Sequence, residues 1–140
     1  MNKLAYTFYS SKLWAGMLRL TGRVPAGFYV GWGRWMTLAE AQACVGPGWA
    51  GLVKEGFDAC LKRGARINQI KEKYGGLRFY CEIEWEIEEL GIERRSYTIC
   101  EECGASGKTR TDGWWKTLCD FDAVEDWLDC VVSDALAGEE

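Results

Sequence analysis

Apolar residues in the first half of the chain recur at helical spacing in three stretches. This spacing predicts helices over about residues 11–21, 38–45 and 49–63. Each stretch also carries end signals, since Thr37 and Glu40 form a capping box before the second, and Gly22 and Gly64 follow the first and the third. The Gly46-Pro47-Gly48 break separates the second predicted helix from the third.

The apolar period changes to two residues after the third helix. Gly75-Gly76 is followed by apolar side chains at every second place from Leu77 to Ile87. This alternation predicts a half-buried hairpin over about residues 66–84, with Gly75-Gly76 as its turn. The later part of the run also fits helical spacing, so we expect the strand to give way to a helix near Ile83.

The last third of the chain combines a cysteine pair, a hairpin pattern and an amphipathic helix. Cys100-x2-Cys103-Gly104 precedes a predicted hairpin that turns at Asp112-Gly113 and leads to Cys119. A helix is expected to follow, with an apolar stripe made of Val124, Trp127, Leu128, Val131, Val132 and Leu136. A knuckle, a hairpin and a helix in this order form the arrangement of a treble-clef zinc finger.

These patterns predict an α+β fold in which N-terminal helices pack on a small antiparallel sheet. A C-terminal zinc-ribbon or treble-clef-like module ends in a helix. We expect residues 1–96 to form the α+β body and residues 97–140 the zinc-finger-like module, packed on the body as one unit.

The cysteine spacing indicates a structural zinc site. Seven cysteines are an odd number, and a C-x2-C pair in a cytosolic chain fits metal better than disulfides. Cys100, Cys103 and Cys119 supply three thiolates, and the chain has no histidine. Asp122 stands where such a finger would carry its fourth ligand, and a carboxylate can bind zinc.

Other roles for Asp122 and other fourth ligands remain open from the sequence. Asp122 and Glu125 have the spacing of a capping box, which a helix N-terminus would favour without any metal. Cys130 lies about two turns further along the predicted helix, and water is a third possibility. The metal could also be lost while the fold is retained.

Composition and charge restrict the class of protein. The chain has 140 residues, of which 48% are hydrophobic and eight are Trp, so it is long enough and apolar enough to form a core. No apolar run approaches a membrane span, and we expect a cytoplasmic protein. Residues 1–80 carry a net charge of +8 and residues 81–140 carry −12. The two halves either present opposite surfaces or neutralise one another within the fold.

The residue types argue against an enzyme. A nucleophilic thiol needs a nearby base, and no histidine is available to act as one. A catalytic zinc needs an open coordination position and a general base, and no H-E-x-x-H or similar spacing is present. We therefore predict a non-enzymatic protein with no small-molecule substrate.

The chain resembles a family of small phage and prophage proteins of uncharacterised function. The resemblance rests on Gly48-Trp49, on the QIKEK-x-GGLRFY segment at residues 69–80, on Cys100-x2-Cys103-Gly104 and on the Thr117-Leu118-Cys119 run. It covers about residues 46–123. In that family a His usually occupies the position of Asp122, so this chain departs from the pattern at one ligand.

The resemblance implies a mobile-element context inside a host bacterial cell. Small phage proteins without a catalytic centre often block a host factor, including CRISPR surveillance complexes. The leading hypothesis is therefore an anti-CRISPR-like inhibitor that binds a host protein or ribonucleoprotein complex through acidic and aromatic patches. The residues assigned to these patches are Trp32, Trp35, Glu84, Glu86, Glu88, Glu89, Trp114 and Trp115.

The alternative hypothesis is direct nucleic-acid binding by a zinc-finger protein. It would use the basic hairpin and its neighbours, namely Lys71, Lys73, Arg78, Lys108 and Arg110. The acidic sequence pI of about 5.0 argues against it, because non-specific affinity comes mainly from neutralising phosphates.

Overall fold

The computed structural model of the protein describes residues 11–27 and 34–138. Within these ranges the helices are α1 (Lys12–Thr21), α2 (Leu38–Gln42), a 3-10 turn (Pro47–Trp49), α3 (Ala50–Arg63), α4 (Glu84–Leu90), α5 (Ile92–Ser96) and α6 (Asp120–Ala137). The strands are β1 (Arg23–Ala26), β2 (Arg34–Thr37), β3 (Ile67–Lys73), β4 (Gly76–Cys81), β5 (Lys108–Arg110) and β6 (Lys116–Leu118). No described helix has both the length and the apolar character needed to cross a membrane.

The helix ends follow the cap signals in the sequence. The Ser11 hydroxyl accepts the Trp14 amide at 3.2 Å, and α1 stops at Gly22, whose φ of 63° is left-handed. The Thr37 hydroxyl likewise accepts the Glu40 amide at 3.2 Å and begins α2. Because α2 ends at Gln42, Cys44 lies beyond the helix and is exposed. The helix predicted over residues 38–45 therefore ends three residues early.

The body sheet is mixed, so the prediction of an antiparallel sheet is wrong at one pairing. The strand order is β2-β1-β3-β4, and β1 runs parallel to β3 while the other two pairings are antiparallel. Parallel neighbours need a long crossover, and α2 and α3 lie between β1 and β3 in the chain. Pro25 fits inside β1 because the β1–β3 register consists of the single pair Ala26 and Ile67.

The β3–β4 hairpin turns one residue earlier than predicted. Lys73 pairs with Gly76, so the central turn residues are Tyr74 and Gly75, with φ of 53° and 72°. Gly76 instead lies in the strand, where a Cβ would come within 2.6 Å of the Tyr97 ring. The second glycine is thus needed for close packing, and Tyr74 takes the left-handed conformation instead.

The main core lies between α3 and the sheet. Gly56 allows α3 to approach β4 closely, because a Cβ there would meet the Phe79 ring at 2.8 Å. The largest fully buried side chains of this core include Trp49, Met36, Ile67, Leu77, Ile92, Val24 and Val53. The Arg95 guanidinium joins α5 to α3 by two hydrogen bonds to Glu55, at 2.5 and 3.0 Å.

The C-terminal module contacts the body along one seam. The Gly48 amide donates to the Glu101 carbonyl at 2.7 Å, and the Trp49 indole donates to the Ile99 carbonyl at 2.8 Å. On the other side, the Thr117 hydroxyl donates to the Gly75 carbonyl at 2.6 Å. These buried bonds hold the cysteine knuckle and the β5–β6 hairpin against the body.

Candidate functional site

Four potential metal ligands converge where the knuckle meets the start of α6. Cys100 and Cys103 come from the turn before β5, Cys119 directly follows β6, and Asp122 lies in the first turn of α6. Their ligand atoms all lie within 4.8 Å of one another. The chain segments that carry them are tied together by the Glu101 amide, which donates to the Thr117 carbonyl at 2.9 Å. This group can hold a metal ion.

The spacing of the four atoms fits a small tetrahedral ion. Metal–sulfur bonds of about 2.3 Å at tetrahedral angles place two sulfurs about 3.8 Å apart. The Cys103 and Cys119 sulfurs are 3.7 Å apart. Asp122 Oδ2 lies 3.0 Å from the Cys100 sulfur and 3.1 Å from the Cys119 sulfur. A tetrahedral ion would separate such a carboxylate–sulfur pair to about 3.5 Å, a shift within reach of side-chain rotation.

The backbone explains why Asp122 faces the thiols. The N-cap of α6 is Cys119, whose sulfur accepts the Asp122 amide at 3.4 Å. Asp122 is therefore already inside the helix, and the interpretation of Asp122 and Glu125 as a capping box is wrong. Cys130 lies eight residues further along α6, about 12 Å away along the axis, and is exposed. It is not part of the cluster.

The charges within the cluster couple metal uptake to proton release. Hydrogen bonds from the three thiols hold the pKa of the Asp122 carboxyl below its usual value. The same carboxylate is the main cause that raises the pKa of the Cys103 thiol to about 12. Without a metal, the Cys103 thiol therefore keeps its proton and the Asp122 carboxylate keeps its charge. A divalent cation would replace that proton and turn the cluster into a ligand set.

The knuckle fits tightly against the Gly46-Pro47-Gly48 turn. A Cβ on Gly48 would lie 1.9 Å from the Cys100 carbonyl oxygen, and one on Gly46 would lie 2.3 Å from that of Glu101. Only glycine allows this approach of two backbones. The Gly48-Trp49 pair and the cysteine cluster, fifty residues apart in sequence, thus form one structural unit.

Glu101 is buried within this seam, and its pKa is raised. Burial is the main cause, and the Thr117 amide, which donates to Oε2 at 3.3 Å, opposes it. When folding raises the pKa of an acid, the protein loses stability as the pH rises from the pKa in the unfolded state, near 4.3, through the pKa in the folded state.

Glu101→Gln is expected to remove this loss, because the amide keeps an acceptor for Thr117 and carries no charge. The free energy of unfolding of the variant should increase relative to that of wild type as pH rises from 4 to 7. Urea titrations of both proteins at several pH values measure the difference. A difference that stays constant with pH would contradict the assignment.

The residues assigned to nucleic-acid binding do not form one free basic surface. Arg78 Nη1 pairs with Glu93 at 2.7 Å, and Arg110 Nη2 pairs with Asp120 at 2.7 Å. Lys108 is exposed at the start of β5, at the end of the hairpin away from its turn. Lys71 and Lys73 lie on β3 with their ammonium groups 5.6 and 5.4 Å from the ring centres of Tyr80 and Tyr74.

The residues assigned to partner binding lie on several separate elements. Glu84, Glu88 and Glu89 are exposed on α4, whereas Glu86 pairs with Arg63 at 2.9 Å. Trp35 packs on Trp14 with ring centroids 4.8 Å apart, and Trp32 lies outside the described residues. Trp114 and Trp115 lie beside the β5–β6 turn, with 78% and 46% of their surface exposed.

The exposure of α6 is the main feature that the sequence does not predict. The sequence predicts an amphipathic helix in a module packed on the body, and the helix is present, yet none of its 18 residues is buried. Phe121, Val124, Trp127 and Leu128 are between 47% and 71% exposed. The sequence does contain a signal for this exposure. Helix α6 carries six acidic residues and no basic one, which is unusual for a helix that packs on its own acidic module.

Comparisons of the chain with models of protein families, with curated proteins and with solved structures find no match.

Proposed function

We propose that this protein is a non-enzymatic, zinc-stapled protein-binding module that uses α6 to dock on a partner and block it. The observation that carries the proposal is the exposed apolar face of α6. An amphipathic helix of 18 residues without a buried side chain leaves a large apolar surface in water. Such a surface is stable in a cell when a partner covers it.

The face of α6 has the form of a helix that inserts into a groove. At 100° per residue, Phe121, Val124, Leu128 and Val131 share one stripe about 80° wide, and the whole apolar arc, with Trp127 included, spans about 180°. These positions have the i, i+3, i+7 and i+10 spacing of anchors that enter a hydrophobic groove. Trp127 lies at the margin of the arc, where a large amphipathic ring contributes most to binding.

Charge selects the kind of partner. The charged residues of α6 are all acidic, so the groove that receives it should be bordered by Lys and Arg. The exposed carboxylates of Glu84, Glu88 and Glu89 on α4 add further negative charge to the surface. Basic grooves are characteristic of proteins that hold DNA or RNA. We therefore infer that the target is a host complex that handles nucleic acid. The bound helix would prevent this complex from binding its nucleic acid.

The phage resemblance is consistent with this role, since it implies an anti-CRISPR-like protein acting in the host cytoplasm. The zinc would be structural and held by Cys100, Cys103, Cys119 and Asp122 in a treble-clef-like finger. It would fix the first turn of α6 against the knuckle, so that the rest of the helix projects in one direction. The proposal assigns the ion no catalytic step.

Direct nucleic-acid binding through the predicted basic set is the weaker candidate. Arg78 and Arg110 are engaged with carboxylates, so the set would present three lysines rather than five cations. Two of those lysines, Lys71 and Lys73, line a smaller groove between the tips of the two hairpins.

The test of α6 is a matched pair of substitutions. Leu128 on α6 and Leu20 on α1 are both exposed leucines, at 47% and 89%. Leu128→Asp is expected to weaken partner binding by about 30-fold or more, as loss of a central interface anchor does. Leu20→Asp should leave binding unchanged. Affinity capture from host lysate with each tagged protein, followed by titration of the captured complex, measures both.

Two outcomes would contradict the proposal. In the first, the partner binds wild type and Leu128→Asp equally well. In the second, sedimentation equilibrium shows a dimer that Leu128→Asp dissociates, which would make a second copy of this chain the occupant of the helix face.

A further inference from the structure

A groove lies between the tips of the two hairpins, on a part of the molecule that α6 docking does not use. It has a volume of about 640 Å³ and is lined by residues 71–74 of β3 and its turn, and by Gly113, Trp114 and Trp115 of the β5–β6 hairpin. The two hairpins are held together next to it, since Thr117 donates to the Gly75 carbonyl at 2.6 Å. The walls of the groove are therefore set by the fold.

The walls of the groove are aromatic and exposed. Tyr74, Trp114 and Trp115 expose 62%, 78% and 46% of their surface. The rings of Tyr74 and Trp115 meet edge to face, with centroids 5.9 Å apart and planes at 64°. In this arrangement the two rings do not stack on each other, so their contact covers at most one ring face.

Tyr74 occupies the groove at a conformational cost. Its φ of 53° is left-handed, and it is the only non-glycine residue with positive φ in the described part of the chain. Glycine would take this turn position without strain. A bulky aromatic residue held in a left-handed conformation is typical of ligand sites, where the side chain is needed in place.

The charges at the groove favour an anion. Among the residues that the structure describes, neither Lys71 nor Lys73 has a carboxylate within 4.0 Å of its ammonium group. Glu72, between them, uses Oε1 to accept the Gly75 amide at 2.7 Å. Asp126, the α6 carboxylate near the hairpin, pairs with Lys116. The two lysines thus remain available to a phosphate.

We propose that this groove binds a short segment of single-stranded nucleic acid. Bases stack on Trp114, Trp115 and Tyr74, and Lys71 and Lys73 contact the backbone phosphates. Aromatic platforms beside cations are the common solution for single strands, because every base has a face to stack and the backbone is charged. The site is independent of the proposed function of α6, and it differs from the broad basic surface predicted from the sequence.

Two features of binding follow from this composition. Stacking should dominate, so removal of one ring weakens binding by about tenfold or more. With two phosphate contacts, the logarithm of the affinity should fall with the logarithm of salt concentration with a slope of only about −1.4. A surface that used all five predicted cations would give a much steeper slope.

The experiment is fluorescence anisotropy with a labelled oligothymidine and the full chain. Trp114→Ala and Tyr74→Gly are each expected to reduce affinity by about tenfold or more. Tyr74→Gly is the decisive variant, because glycine relieves the left-handed turn and should not lower the melting temperature. The matched control is Trp85→Ala, because Trp85 is an exposed Trp on α4 that does not line the groove, and this variant should bind as wild type does.

Several results would overturn the proposal. One is oligothymidine binding that is unchanged in Tyr74→Gly and Trp114→Ala. Another is the absence of any binding at low salt. A third is a proline-rich peptide that binds more tightly than the oligonucleotide and loses affinity in the same variants, which would identify the groove as a peptide site. None of these substitutions lies in α6, so failure here leaves the α6 test unaffected.

Discussion

Cys100→Ser is expected to abolish metal binding and to unfold the C-terminal module. Cys100 is fully buried and its sulfur lies 3.0 Å from Asp122, so no exposed side chain can take its place. Structural zinc contributes about 10–16 kcal/mol of apparent binding free energy to small modules at neutral pH, and much of this should be lost with one thiolate. Metal analysis of purified protein, with thermal unfolding followed by tryptophan fluorescence, measures both effects.

Graded substitutions at the same site sharpen this prediction. Cys130→Ser removes an exposed thiol outside the cluster and should keep the full metal content. Asp122→Ala should lower metal affinity, and Asp122→His should raise it above wild type, because imidazole is a more usual zinc ligand than a carboxylate. Full metal content in Cys100→Ser, or equal affinity in wild type and Asp122→Ala, would contradict the assigned ligands.

Gly48→Ala is expected to cause the largest loss of stability among single methyl additions. The new Cβ would lie 1.9 Å from the Cys100 carbonyl oxygen and 2.6 Å from the Gly104 nitrogen. Both are backbone atoms of the knuckle and cannot move aside without breaking the seam. The cost should exceed about 4 kcal/mol, as expected when a close-packed backbone contact is forced apart.

Gly51→Ala provides the control for this substitution. Gly51 lies in α3, three residues away, and a Cβ there meets nothing within 4 Å. Alanine should therefore stabilise the protein by about 0.5–1 kcal/mol through its helix propensity. Urea unfolding of both variants in the presence of zinc gives the comparison. A stable Gly48→Ala variant with normal metal content would show that the knuckle does not need this contact.

Local features of the fold were predictable, and features that depend on distant pairing were not. The hairpins, the cap residues and the cysteine cluster depend on spacings of a few residues, which the sequence displays directly. β1 was missed because Pro25 normally argues against a strand, and the parallel pairing of Ala26 with Ile67 spans forty residues. The turn at Tyr74 was misplaced because the need for Gly76 comes from Tyr97.

The candidate surfaces show the same limit. Periodicity correctly indicated that α6 is amphipathic, but it cannot tell whether the apolar side meets the chain's own core or another molecule. Nor could it show that Arg78 and Arg110 are paired with carboxylates, since Glu93 and Asp120 lie on other elements. The groove at Tyr74 and Trp115 needed two hairpin tips to meet, which no local pattern records.

We propose that α6 docks in a basic groove of a nucleic-acid-handling partner. The most direct measurement is calorimetric titration of that partner, once captured, with wild type and with Leu128→Asp, each in the absence and presence of the partner's nucleic acid. We expect wild type and nucleic acid to exclude one another, and Leu128→Asp to lose at least about 30-fold in affinity. Simultaneous binding of protein and nucleic acid, with affinity unchanged by Leu128→Asp, would contradict it.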